Sequence, residues 1–371
     1  MATERSLDEK YMKLALRLAR RGLGRTSPNP MVGAVIVKND RIIGKGYHHY
    51  FGGKHAEIDA IESTEEDIAG ATLYISLEPC FHYGKTPPCV DAIINSKIGR
   101  VIIGTKDPDP RVNGKSIEKL KQKGIETLVG VLEKECRSLN EAYNKHRTAG
   151  LPFVTVKFAQ TLDGRIATAS GHSRWISSPE SLKLAHKLRA THDAILAGIG
   201  NVLKDDPELT TRLVKGRNPA RIILDSKLRI PLEAKVLQDQ EKATTIIATT
   251  PAADDEKLAI LKEQGIEIVI VASDLRGGVD IARLLATLGE RDITSILVEG
   301  GSRIITSFLR RGLVDKLVAI IAPKILGKGI ETVGDLNIES VDQALKLFFE
   351  KTYRLGDDFI IEARISPRDI G

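Results

Sequence analysis

His55, Glu57, Cys80 and Cys89 are the residues whose types and spacing point most directly to chemistry. One imidazole and two thiolates give a zinc ion three good ligands and leave its fourth position to water. The thiolates offset the ion's charge, yet the metal still lowers that water's pKa enough to supply hydroxide near neutrality. Glu57, two residues beyond His55, reaches the water instead of the metal. It takes the water's proton and returns it to a leaving amine, the general acid–base role. A closed structural site would need a fourth ligand, and the remaining cysteine, Cys136, lies far along the chain in an expected helix. Such a site also has no use for Glu57. We therefore expect one catalytic zinc per chain and read Cys136 as packing.

The elements that must position these residues follow from periodicity. Tyr11, Leu14, Ala15 and Leu18 recur at helical spacing, and Gly22 stops that helix. Strand patterns fall at residues 32–37, near Ile42 and Ile43, and at 72–77, 100–104 and 125–129. Helices are expected at 55–63, 88–97 and 115–123, with a polar helix over 133–147. Alternation of this kind predicts an α/β domain, its helices covering a largely parallel sheet. Cys80 should end a strand–loop junction. Pro88 should open a helix whose first turn presents Cys89 and favours its thiolate.

Ala149-Gly150-Leu151-Pro152 breaks the pattern, so we divide the chain into domains 1–149 and 150–371. A new strand begins at Phe153. Strands then recur at 194–197, 221–224, 245–248, 266–271 and 293–298, separated by helices at 179–190, 256–263, 281–288 and 301–311. Gly198-Ile199-Gly200 follows a strand but lacks the third glycine of a dinucleotide fingerprint, so it is a weak signal. Val298-Glu299-Gly300-Gly301-Ser302 is a better anion site, because it ends a buried strand and starts a helix with unpaired N–H groups. An ordinary strand-to-helix turn remains the alternative.

The zinc set matches the signature of zinc nucleobase deaminases. It departs from the common form in one respect: eight residues, Phe81 to Pro88, separate the cysteines where two are usual. With Ser27-Pro28-Asn29-Pro30-Met31-Val32-Gly33, His48 and the CFHYGKTPPC loop, the first half resembles the riboflavin-pathway deaminases. The resemblance implies a cytidine-deaminase-like three-layer fold. It also implies a substrate of 2,5-diamino-6-(5-phosphoribosylamino)pyrimidin-4-one, which loses its 2-amino group as ammonia. Asn29, His48 and His82 would contact base or sugar, and Lys85 the phosphate. Asn29, between two prolines, reads equally as turn chemistry, and both histidines as structural residues.

The second half carries Lys157 to Arg165, then Ser173 to Ser177, then Leu203 to Thr210, with VEGG near the end. This order resembles the reductase domain of the same pathway, which has a dihydrofolate-reductase-like α/β fold. By that resemblance NADPH would touch Ala159, Trp175, Asn201, Asp205, Gly301 and Ser302. Substrate would meet Lys157, Ser173, Arg189, Leu209, Arg212 and Glu299. Arg189 and Arg212 suit a ribose phosphate, since guanidinium forks match its oxygens, although either could be a solvated charge. Hydride would go to C1′ of the ring-opened ribose, with Lys157 and Asp205 the polar groups to test for proton handling. Asn201 departs from the small hydroxyl residue expected there in some relatives.

Composition narrows the alternatives. The hydrophobic share is 42 % and the charged share 28 %, ordinary for a globular protein. Charged residues interrupt every apolar stretch, and MATERSLDEK lacks a secretory core, so we expect a cytoplasmic enzyme with no membrane partner. Three cysteines are too few for a disulfide framework. The net charge of +6 is dispersed, which argues against nucleic acid and hence against the competing function, a tRNA or nucleoside deaminase with an unrelated C-terminal module. A phosphorylated pyrimidine as partner and a homo-oligomeric assembly complete the expectations.

Overall fold

The computed structural model describes residues 4–81 and 87–365. They form two compact units, Met1–Gly150 and Leu151–Gly371. In chain order the first contains α1 (Glu4–Ala19), β1 (Gly33–Lys38), β2 (Arg41–Tyr47), α2 (Ala56–Glu62), β3 (Thr72–Leu77), α3 (Cys89–Asn95), β4 (Arg100–Thr105), α4 (Lys115–Gln122), β5 (Glu126–Val129), α5 (Glu133–Leu139) and α6 (Glu141–Ala149).

Its sheet runs in the order β2-β1-β3-β4-β5. Strand alternation divides the core. Val35, Val37, Tyr74 and Ile102 face α1 and Cys136 of α5, whereas Ala34, Ile36, Leu73, Ile75, Val101 and Ile103 face α2, α3 and α4. Three layers result, as the resemblance implies. The sheet is not largely parallel, however: β1 pairs antiparallel with both β2 and β3, and only β3, β4 and β5 run parallel. The tight turn at Asn39-Asp40, both at positive φ, forces the first reversal. Gly33 is required where β1 crosses α1, since a Cβ there would lie 2.0 Å from the Ala15 carbonyl oxygen.

The expected helix over 133–147 is two helices, broken at Asn140. Asn140 Oδ1 accepts the Met31 N–H at 2.8 Å and its Nδ2 donates to the Met31 carbonyl at 2.9 Å. This pairing to the strand-leading segment competes with helix continuity, a role short amides favour.

The second unit contains β6 (Phe153–Thr161), β7 (Arg165–Thr168), α7 (Pro179–Thr191), β8 (Ala194–Gly198), α8 (Ile199–Asp205), β9 (Ala220–Leu224), β10 (Thr245–Thr249), α9 (Asp255–Glu263), β11 (Glu267–Ile270), α10 (Ile281–Gly289), β12 (Ser295–Val298), α11 (Ser302–Arg310), β13 (Lys316–Ala322), β14 (Gly329–Glu331), β15 (Leu347–Leu355) and β16 (Asp358–Ile365). The large sheet has the order β11-β10-β9-β8-β12-β6-β13-β16-β15. It is parallel from β11 to β13 and closes with an antiparallel pair, β16 and β15. One face packs on α10 and α11 through Leu284, Leu285, Leu288, Ile305 and Phe308. The other packs on α8 and α9 through Ile199, Val202 and Leu261. Each fully buried side chain of this kind contributes roughly 1.5–3 kcal/mol of transfer free energy. β12, late in sequence, lies between β8 and β6, so the strand order switches direction there. The ends of parallel strands at such a switch form a crevice.

Candidate active sites

In the first unit, β3 ends at Leu77 and the chain turns through Glu78-Pro79-Cys80. Glu78 is buried and accepts the backbone N–H groups of Asp107 (3.2 Å), Gly114 (2.9 Å) and Ser116 (3.2 Å). The Ser116 hydroxyl donates to the Pro79 carbonyl at 2.7 Å. These bonds hold Cys80 opposite the starts of two helices. His55 is the N-cap residue of α2, Glu57 lies in its first turn, and Cys89 is the first residue of α3.

His55 Nδ1 lies 3.2 Å from Cys89 Sγ and 3.5 Å from Cys80 Sγ, and all three donor atoms fall within 4.8 Å of one another. Tetrahedral zinc with bonds of about 2.0–2.3 Å requires ligand separations of roughly 3.3–3.8 Å. The donor set therefore fits zinc in chemistry and in spacing. The Cys89 N–H at the start of α3 donates to Cys80 Sγ at 3.1 Å. The thiol hydrogen bond from Cys89 and then the bond from His55 pull the Cys80 thiol down to about 4, against burial. Cys89, which donates that bond and is buried, is pushed up. The helix N-terminus expected to favour the Cys89 thiolate turns its first N–H to Cys80. The bond to Cys80 lifts His55 to about 9. Burial raises the Glu57 carboxyl to about 7.

His55, Glu57 and Cys80 open on a cavity of ≈ 220 Å³ that Asn29 and His48 also line. His48 Nδ1 bonds the Lys54 carbonyl at 2.8 Å, and its Nε2 lies 3.3 Å from Asn29 Nδ2. The Lys54 contact makes Nδ1 the donor, so Nε2 accepts from Asn29. His82 and Lys85 lie outside the described residues. Asp107, Asp109, Arg111, Tyr143 and Arg147 line the same cavity and were missed by sequence reasoning. Their signal was the run Asp107 to Arg111 after a buried strand, where acids would be exposed if they did nothing. Asp107 instead is buried, accepts the Tyr143 hydroxyl at 3.0 Å, and is raised by burial to about 6.

In the second unit a cavity of ≈ 530 Å³ lies at the C-terminal ends of β6, β8, β9 and β12. It brings together Lys157, Ala159, Ser173, Asn201, Asp205, Glu299, Gly301 and Ser302. Gly198-Ile199-Gly200, a weak sequence signal, lines it as well, with Arg229 and Arg303, which sequence reasoning missed. Gly301 is the N-cap residue of α11 and has no side-chain cap. Asn201 Oδ1 accepts the Gly301 N–H at 3.2 Å and so fixes the turn. A Cβ at Gly200 would meet nothing within 4 Å, and one at Gly301 only Asn201 Oδ1 at 3.5 Å. Packing therefore does not demand these glycines. They leave bare backbone at a helix N-terminus facing the cavity, which fits a phosphate-bearing dinucleotide.

Ser173 and Asp205 also line a neighbouring recess with Trp175 and Arg212. Trp175 is 67 % exposed. Arg189 lines neither space. Its fork is filled by Glu299 (Nε to Oε1 2.8 Å, Nη2 to Oε2 2.9 Å), and Nη1 donates to the Thr210 carbonyl at 3.1 Å. Lys157 approaches the same carboxylate at 3.6 Å. Burial alone would raise the Glu299 carboxyl, but Arg189 and Lys157 overcome it and hold it at about 2. Leu209 is buried at φ 54°, outside the cavity lining.

Two family models match the chain. Residues 5–105 match the cytidine and deoxycytidylate deaminase zinc-binding region, and residues 152–361 the RibD C-terminal domain. The riboflavin biosynthesis protein RibD of Aquifex aeolicus is 48 % identical over 358 residues, covering 96 % of this chain and 98 % of the relative. RibD of Escherichia coli is 37 % identical, covering 95 % and 97 %. Among solved structures, a Thermotoga maritima diaminohydroxyphosphoribosylaminopyrimidine deaminase/5-amino-6-(5-phosphoribosylamino)uracil reductase superposes with a TM-score of 0.85 at 40 % identity. It covers 98 % of this chain and 99 % of that one. Acinetobacter baumannii RibD gives 0.87 at 34 % identity, covering 98 % and 100 %.

Proposed function

The chain belongs to the RibD family of riboflavin biosynthesis, in which a deaminase and a reductase share one polypeptide, and on that premise we propose that residues 1–149 carry the deaminase and 150–371 the reductase. The first reaction releases the 2-amino group of 2,5-diamino-6-(5-phosphoribosylamino)pyrimidin-4-one. The second reduces the ribosyl group to ribityl. The observation that carries the reading is the convergence of His55, Cys80 and Cys89 beside a buried Glu57 that is not among the ligand-spaced donors.

Zinc held by His55, Cys80 and Cys89 would supply Lewis acidity that makes a water nucleophilic near neutrality. The work of this chain is then proton movement and placement. The Glu57 carboxylate receives the proton of the attacking water and delivers it to the departing nitrogen. Asn29 and His48, bonded to each other, present a fixed edge to the base, while Lys85 and His82 engage the phosphoribosyl group.

In the second site NADPH would supply the hydride. Gly301 and Ser302 would border its phosphates at the start of α11, the Gly301 N–H staying on Asn201. Ala159, Asn201, Asp205 and Trp175 would border the rest. Lys157, Ser173, Arg212 and Glu299 meet the substrate, while Leu209 packs behind them in the core. Arg189 acts on the substrate by holding Glu299 and Thr210. Lys157 and Asp205 are the candidates for proton delivery to the opened ring. No helix among the described residues is long and apolar enough to cross a membrane. A cytoplasmic homo-oligomer acting on phosphorylated pyrimidines is consistent with the family.

The test is incubation of the whole protein with the diaminopyrimidine phosphate, with and without NADPH, and identification of products by mass. Ammonia and the aminouracil phosphate are expected without NADPH, and the ribityl product with it. Recovery of unchanged substrate from zinc-replete protein would overturn the assignment.

A further inference from the structure

We propose that His186 is a positioning residue of the reductase site, the acceptor that fixes the segment Leu209–Arg212 in register for substrate. The inference rests on the reductase reading above and deepens it. His186 lies on α7, is 6 % exposed, and takes the backbone N–H of Arg212 on its Nδ1 at 2.9 Å. One turn further along the same helix, Arg189 donates to the Thr210 carbonyl while its fork grips Glu299. A single helix face thus ties the segment at two backbone points and joins it to the carboxylate at the end of β12.

The segment needs such ties. It belongs to no helix or strand, and Leu209 sits at φ 54°, a conformation unfavourable for a leucine. It is also anchored by the Thr211 N–H to Asn218 Oδ1 at 2.8 Å, by the Thr210 hydroxyl to Glu208 Oε2 at 3.2 Å and by the local pair of Arg212 with Glu208. The Arg212 N–H is otherwise the backbone donor next to the guanidinium assigned to substrate.

Accepting on Nδ1 requires the neutral ring with its proton on Nε2. Burial, then the charges of Arg189 and Arg212, hold His186 at about 4, with Lys157 acting the same way and Glu299 opposing. Burial and the flanking arginines thus favour the neutral ring that can accept this bond.

The test uses the full-length zinc enzyme with the phosphorylated aminouracil and NADPH. His186→Asn places an amide oxygen where Nδ1 stood, His186→Gln places it one bond further out, and His186→Leu removes the acceptor. Leu and Gln should raise KM for the aminouracil about tenfold, the scale of one unsatisfied backbone donor. KM for NADPH and kcat should stay within about threefold, and Asn should restore KM to within about threefold of the parent. Should His186→Leu fail to fold, the Asn–Gln contrast still decides. Equal KM for Asn and Gln, or parallel rises in both KM values, overturns the inference. A parent enzyme that does not reduce the aminouracil overturns the reductase reading instead.

Discussion

Replacing Glu299 with glutamine keeps its shape and removes its charge, leaving Arg189 and Lys157 facing a neutral amide. A carboxyl brought from 4.5 to about 2 corresponds to about 3 kcal/mol favouring the charged form. The side chain is only 11 % exposed, so solvent screening takes little from that figure. Removing one partner of a buried pair typically costs about 3–5 kcal/mol, in agreement. The second unit should then melt roughly 6–12 °C lower. Because the folded value is depressed, the stabilisation is present above the ordinary carboxylate range and is lost as pH falls toward 2. The parent–variant gap should be about 3 kcal/mol at pH 7 and less than half of that by about pH 3. Urea unfolding of the full chain, followed by hydrogen exchange at β6 and β12 amides, measures the gap. NADPH oxidation with the aminouracil should collapse while ammonia release persists. A gap below about 1 kcal/mol at pH 7, or reduction at the parental rate, would falsify the reasoning.

Cys89→Ser should lose most of its zinc and its deamination, because one thiolate and one imidazole hold the ion poorly; full zinc content with normal ammonia release contradicts the ligand set. Glu57→Ala should slow deamination by roughly 10²–10⁴ while zinc stays bound and reduction of the aminouracil continues; loss of NADPH oxidation in folded, zinc-replete protein would refute independent sites. Asp107→Asn should stabilise the first unit above pH 6, since burial has raised Asp107 to about 6 and its ionisation opposes folding there. The gain, about 1–3 kcal/mol at pH 8, should vanish below about pH 4; urea midpoints at the two pH values decide, and a pH-independent gain contradicts the buried-acid account.

The zinc set was legible because its chemistry restricts residue types and its ligands lie on helix starts that local signals announce. The core strands were legible for a similar reason: β8, β9, β10 and β12 are short, mostly apolar runs buried on both faces. β15 was not, because Phe348, Glu350 and Lys351 are exposed on an edge strand, where burial imposes no pattern. α8 is only seven residues, too short for a helical period to register. β13 was passed over although its burial resembles that of its neighbours; it can be read in retrospect. The pairing of Arg189 with Glu299, 110 residues apart, leaves no local trace at all. A phosphate-seeking arginine and a carboxylate-holding one look alike until the fold chooses the partner.

The place of β12 in the sheet also sets the order in which this protein can be made. On a ribosome, β6, β8, β9, β10 and β11 emerge before the strand that joins β6 to β8. Until it arrives, those two strands present unpaired inner edges, a template for the wrong partner. The nascent second unit therefore stays an open half-sheet through more than a hundred residues of synthesis, since β12 pairs with Phe153 at one side only from Ser295 onward. Pairing of such sequence separation is slow and exposed to aggregation. A chain stopped at Glu290 would not be a smaller reductase. It would be a split sheet with two sticky seams, and a substrate for chaperones and proteases.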